Sequence, residues 1–195
     1  MKRICVYCGS AVGRRLAYLA AARQTGVALA QAGLTLVYGG GKVGLMGEVA
    51  DAALEAGGRV VGVMPRDLVA REIAHAGLSD LHVVNSMHER KWRMAELADG
   101  FVSLPGGAGT LEEFFEQWTW AQLGFHDKPS ALLNVDGYFD PLCDLVARMV
   151  DEGFLAAEYR RMLIVEPMIE AVLAACRAYQ PPPPKWAAGA PKVAE

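Results

Sequence analysis

Hydrophobic positions along the chain follow two alternating periods. Short β-branched runs near Arg3–Cys8, Leu34–Tyr38, Arg59–Met64, Leu81–Asn85, Gly100–Leu104, Ala131–Asn134 and Met162–Val165 have the length and composition of strands. Between them, Arg15–Gln31 carries Leu16, Leu19, Ala20, Val27 and Leu29 at helical spacing and closes at Gly33, and Leu45–Ala56 ends likewise at Gly57-Gly58. Further helices are predicted near His88–Ala98, Thr110–Leu123, Pro141–Asp151 and Pro167–Tyr179. Each crossover is long enough for the next strand to return parallel. The pattern predicts an α/β fold with a parallel sheet of about seven strands.

A chain of 195 residues has room for one domain with a full core, placed at residues 1–180. Pro181–Pro184 opens a segment of prolines and small residues that cannot bury enough surface to fold, so 181–195 is expected to be a disordered tail. The hydrophobic fraction is 53%, yet no apolar run approaches the roughly 20 residues of a membrane helix. That excess belongs in a core or a subunit interface. Met1 to Cys8 enters a strand-like run directly, without a signal-peptide core, and four cysteines are too sparse for a disulfide framework. A cytoplasmic protein is expected. A net charge of −3 leaves no basic footprint for nucleic acid or an acidic membrane, though a small anionic ligand stays compatible with it.

Two glycine clusters fall after strands, where parallel sheets gather ligands. Gly39-Gly40-Gly41-Lys42-Val43-Gly44 matches G-x-G-x-x-G in form, but Met64-Pro65-Arg66 stands where a dinucleotide site needs a ribose-binding acid. A tight turn near a ligand is the better reading, and no Gly-Lys-Ser/Thr element makes it a P-loop. The second cluster, Leu104-Pro105-Gly106-Gly107-Ala108-Gly109-Thr110-Leu111-Glu112-Glu113, joins an anion cradle to carboxylates at a helix start. Thr110 can cap the helix or donate to a phosphate. Thr110 with Glu113 also has the spacing of a capping box, which by itself predicts no catalysis. Glu113 and Glu116, three apart, share a helix face within reach of one ligand.

Three segments together resemble the LONELY GUY (LOG) family: Val37-Tyr38-Gly39-Gly40-Gly41 with Gly44-Leu45-Met46-Gly47, then Met87-His88-Glu89-Arg90-Lys91, then Pro105 to Glu113. The likeness continues through Thr119-Trp120-Ala121-Gln122-Leu123-Gly124 and Asn134-Val135-Asp136-Gly137-Tyr138, spanning nearly everything from Arg3 to Pro167. It implies a Rossmann-like three-layer sandwich and a homodimer. The implied reaction takes cytokinin riboside 5'-monophosphates, and often AMP, to free base and ribose 5-phosphate with no cofactor or metal. Carried over by residue, the catalytic pair is Arg90 and Glu113. The substrate site is Glu72, Arg90, Lys91, Gly106, Gly107, Ala108, Gly109, Thr110, Leu111, Glu112 and Thr119. Ala108 stands where the family often has an aromatic, so packing on the substrate is expected to differ there.

Cleaving an N-glycosidic bond builds positive charge on the ribose carbon, so a carboxylate beneath it stabilises the transition state more than the substrate. Glu113 is the expected carboxylate, as cation stabiliser, water activator or both. Arg90 keeps its proton at neutral pH and is assigned to orienting and neutralising the substrate. The 5'-phosphate is expected on the amides from Gly106 to Thr110, with Lys91 adding a point charge. Cys5-Val6-Tyr7-Cys8 reads as core thiols rather than a redox or zinc motif. Trp92, Trp118 and Trp120 are expected to pack rather than stack on a base, and His88 is left outside the site. Two alternatives stand beside the hydrolase. A lysine decarboxylase would hold pyridoxal phosphate on Lys42, Lys91 or Lys128. A non-catalytic nucleotide-binding module would use Glu113 only as a helix cap.

Overall fold

A computed structural model of the protein describes residues 1–70 and 74–187. Seven strands, β1 (Arg3–Tyr7), β2 (Thr35–Tyr38), β3 (Val60–Pro65), β4 (Asp80–Val84), β5 (Gly100–Ser103), β6 (Ser130–Leu133) and β7 (Leu163–Glu166), form one sheet in the order β4-β3-β2-β1-β5-β6-β7. Every pair is parallel. The long helices are α1 (Leu16–Gln31), α2 (Gly44–Glu55), α4 (Met87–Leu97), α5 (Ala108–Leu123), α6 (Asp140–Asp151) and α8 (Ile169–Ala178). All lie within a few residues of the sequence expectation. Two single-turn helices, α3 (Arg66–Val69) and α7 (Ala157–Arg160), were not anticipated, because one turn carries too few apolar positions to show a period.

Side-chain alternation along the strands explains the layers. Ile4 and Val6 of β1, with Cys8 just after it, enter one cluster with residues of α1, α2 and α8, while Cys5 and Tyr7 enter another with Met94, Ala95 and Phe101. A third cluster packs Phe114, Trp118 and Ala121 of α5 against Leu132, Phe139, Val146 and Tyr159. Both faces of the sheet are covered, as in other all-parallel sheets, and the fold is the Rossmann-like three-layer sandwich. Strand order reverses between β1 and β5. Their carboxyl ends, with the loops that follow, form the crevice where such sheets bind ligands.

The Pro-rich segment runs beside the end of α5. Lys185 N donates to Gln122 O at 2.7 Å, and Tyr159 Oη donates to Pro183 O at 3.5 Å. Prolines bring carbonyl acceptors without N–H groups of their own to satisfy, which suits them to lie along a surface in this way. Among the described residues, no helix is long and apolar enough to cross a membrane.

Candidate active site

Arg90 is presented by the first turn of α4. Ser86 is the N-cap and accepts from Glu89 N at 3.1 Å, while Glu89 Oε2 reaches back to Asn85 N at 2.8 Å. This reciprocal pair sets the helix start. The Arg90 side chain turns inward over the ends of β2 and β3: Nε donates to Val63 O at 3.1 Å, and Nη1 lies 3.5 Å from Glu113 Oε1. Gly39 makes room for the guanidinium, since a Cβ there would stand 1.8 Å from Arg90 Nη2. His88, two positions earlier on the helix start, is exposed.

Glu113 comes from α5. That helix begins at Ala108 with Gly107 as N-cap, so the alternative of a Thr110–Glu113 capping box does not form. Thr110 is instead buried in the first turn, its side chain close against Gly106, where a Cβ would meet Thr110 Oγ1 at 2.1 Å. The first helical bond runs from Leu111 N to Gly107 O. The amides of Ala108, Gly109 and Thr110 therefore have no partner within the helix and form the positive end of its dipole, the kind of place that suits an anion. Released from capping, Glu113 points into the space between α4 and α5, and its side chain is 13% exposed. Burial pushes its carboxyl up to about 7, against the lowering pull of Arg90.

The other expected residues divide. Lys91 is buried, and its ammonium is held by the carboxylates of Glu112 and, at 2.9 Å, Glu116. Gly106, Gly107, Ala108 and Gly109 form the loop and helix start as expected, and Leu111 packs against the α5–α6 core. Thr119 is exposed and six positions along α5 from Glu113, about 9 Å at helical rise, so it does not join the pair. Glu72 lies outside the described residues. Trp118 is buried, but Trp92 is 61% exposed, contrary to the packing expected of it.

Beside the glycine loop is a cavity of about 340 Å³, lined in part by Gly9, Ser10, Tyr18, Leu45, Gly106 and Tyr138. Tyr138 Oη donates to Gly106 O, and Gly9 N donates to Pro105 O at 3.1 Å, so the β1–α1 loop and Tyr138 brace the loop from behind. Sequence reasoning gave these residues no role. Their contacts join positions 32 and 96 apart in the chain, and only the quoted Asn134–Tyr138 string hinted at one of them.

Among known proteins, a family profile described as "Possible lysine decarboxylase" matches residues 46–176. The chain is 48% identical to the cytokinin riboside 5'-monophosphate phosphoribohydrolase LOG of Oryza sativa subsp. japonica, over 92% of this chain and 74% of that one. It is 49% identical to the cytokinin riboside 5'-monophosphate phosphoribohydrolase of Rhodococcoides fascians, over 91% of this chain and 90% of that one. Among solved structures, the molybdenum cofactor binding protein of Rippkaea orientalis superposes with a TM-score of 0.70 at 20% identity, over 91% of this chain and 97% of that one. That likeness bears on the fold alone. With the profile match, the near-complete alignment to these hydrolases and the Arg90–Glu113 pair set beside a glycine-rich helix start, the chain belongs to the LOG family of lysine-decarboxylase-like proteins.

Proposed function

We propose that the protein hydrolyses the N-glycosidic bond of cytokinin riboside 5'-monophosphates or AMP, in the cytoplasm and as a homodimer. The observation that carries this reading is a buried carboxyl, Glu113, 3.5 Å from a guanidinium and one to two turns from three amides open to an anion. The phosphate rests on the amides of Ala108, Gly109 and Thr110, which fixes the sugar against Glu113. As the bond from C1' to the base breaks, its electron pair leaves with the base and positive charge grows on the ribose. The Glu113 carboxylate stabilises that charge and accepts a proton from the water that adds to C1', while the departing base takes up a proton from solvent and Glu113 afterwards returns its own to solvent. Arg90 neutralises charge beside it without giving up its own proton.

The residues do not fit a pyridoxal phosphate site. Burial acts to lower the Lys91 pKa, but hydrogen bonds to Glu112 and Glu116 outweigh it and raise the pKa, the wrong direction for a Schiff-base lysine. Lys128 Nζ donates to Ala95 O at the opposite end of the sheet, and Lys42 is exposed. No step is derived through that cofactor.

The dimer reading is supported by an aromatic strip on the outer side of α4 and α5. Trp92 and Phe125, 61% and 72% exposed, flank Trp120, whose ring centroid is 5.6 Å from that of Trp92. Rings of this size in contact on a surface mark an interaction face. Four free cysteines suit a reducing compartment.

The test of the reaction is release of free base from AMP, from isopentenyladenosine monophosphate and from adenosine. The monophosphates are expected to turn over, adenosine to lose rate as well as affinity, and Glu113→Gln to bind nucleotide without releasing base. Equal rates on AMP and adenosine would remove the phosphate assignment. Binding of both nucleotides by wild type with no base released would leave a nucleotide-binding module.

A further inference from the structure

Arg90 and Lys91 are consecutive on α4 but meet α5 differently. Arg90 faces Glu113 alone among the acids of α5, whereas the Lys91 ammonium is enclosed by Glu112 and Glu116, which lie one turn apart and on either side of Glu113 in sequence. The Lys91 side chain is 8% exposed. Glu116 is held on a further side by Gln117, whose Nε2 lies 3.5 Å from Glu116 Oε2, and Gln117 is fully buried. A phosphate approaching Lys91 meets two carboxylates already in place, so this locality is net negative and does not attract a dianion. The open amides at Ala108–Thr110 offer the phosphate what Lys91 does not.

We propose that Lys91 and Glu116 are positioning residues: their ion pair bolts α4 to α5 at the separation that sets Glu113 against Arg90, and Lys91 does not hold the substrate phosphate. This deepens the hydrolase reading and rests on it for the role of Glu113.

The pair also acts on Glu113 through space. The groups around that carboxyl are Cys5 and Tyr7 on β1, Cys8 just after it, Arg90 and Lys91 on α4, and Glu112 and Glu116 on α5. The thiols and the phenol, raised chiefly by burial, stay neutral. After burial, which raises it most, Glu113 is lowered by Arg90 and Lys91 and raised by Glu112 and Glu116. Removing Lys91's charge and removing Glu116's charge therefore move Glu113 in opposite directions.

The experiment compares Lys91→Met, Glu116→Gln and the double variant, whose neutral pair is expected to fold even where a single unpaired charge does not. The Glu113 side chain is titrated in the resting protein by carbon-13 NMR, assigned by its loss in Glu113→Gln, and AMP and adenosine affinities are measured by calorimetry. Lys91→Met is expected to raise the Glu113 midpoint by roughly one pH unit, Glu116→Gln to lower it, and the double variant, in which the two charges cancel but the ion pair is gone, to stay above wild type because Glu113 is no longer held against Arg90. AMP affinity is expected to stay within about threefold in the double variant. A loss of tenfold or more in AMP affinity in the double variant, with adenosine unaffected, would overturn the proposal and make Lys91 a phosphate ligand. An unmoved midpoint in both single variants, or a double variant that titrates like wild type, would overturn it as well. Neither readout requires turnover, so failure of the hydrolase assay and failure of this proposal are separate results.

Discussion

At the residue scale, the site turns on one carboxyl kept from water and one cation allowed near it. Burial outweighs the Arg90 guanidinium, so Glu113 titrates near 7 rather than at its ordinary 4.5. In the proposed reaction it is the ionised form that acts, so kcat/KM is expected to rise with pH and level off above about 7. Stability runs the other way. A carboxyl whose folded pKa is raised favours folding fully below its unfolded value, and that contribution is lost as pH rises through the folded one. The loss approaches about 3 kcal/mol, an order-of-magnitude figure. Urea unfolding from pH 4 to 8 is expected to show this decline in wild type and a flatter profile in Glu113→Gln. Equal slopes in the two proteins would mean that Glu113 is not the shifted group. Gly39 gives a second prediction at this scale. The atom a Cβ would strike is the far end of the flexible Arg90 side chain, so Gly39→Ala is expected to leave the melting temperature nearly unchanged. It displaces the guanidinium from Glu113 and Val63, and kcat/KM is expected to fall roughly 10- to 100-fold. Unaltered kinetics in that variant would remove Arg90 from the reaction.

At the element scale, two helix starts do the positioning, and they use different chemistry. α4 is capped by side chains, Ser86 and Glu89, whereas α5 starts at Gly107 with no side-chain cap, leaving its amides open to a ligand. Ser86→Ala is expected to cost about 1 kcal/mol in urea unfolding, the usual value of a lost N-cap. A cost near zero would show that packing of Met94 and Ala95, rather than the cap, holds α4. The two starts were not equally legible. Thr110 followed by Glu113 has the capping spacing, yet the cap is Gly107, and Thr110 lies buried inside the first turn with its side chain against Gly106. Strands were legible for a physical reason: a strand buried on both faces reads as an unbroken β-branched run, as in Val60-Val61-Gly62-Val63-Met64.

At the scale of the whole molecule, the aromatic strip on α4 and α5 lies on the outer side of the same two helices that hold Arg90 and Glu113, so association through it would stiffen the site. Trp92→Glu is expected to yield a monomer in sedimentation equilibrium and to lower activity without unfolding the chain. A variant that still sediments as a dimer would place the interface elsewhere. Much about this protein follows from local pattern. The alternation of periods settles the layer architecture, because a strand or helix buries its apolar face only in a few ways. The string from Pro105 to Glu113 marks a helix start suited to an anion, because glycines there leave amides bare. Other features depended on tertiary contact. Lys91 looks in sequence like a free cation beside Arg90, but Glu112 and Glu116 claim it across a helix interface. The elevation of Glu113, the bracing of Gly106 by Tyr138 and the exposure of Trp92 have the same origin. Burial and charge pairing are set by neighbours distant in the chain, and no spacing along one element encodes them.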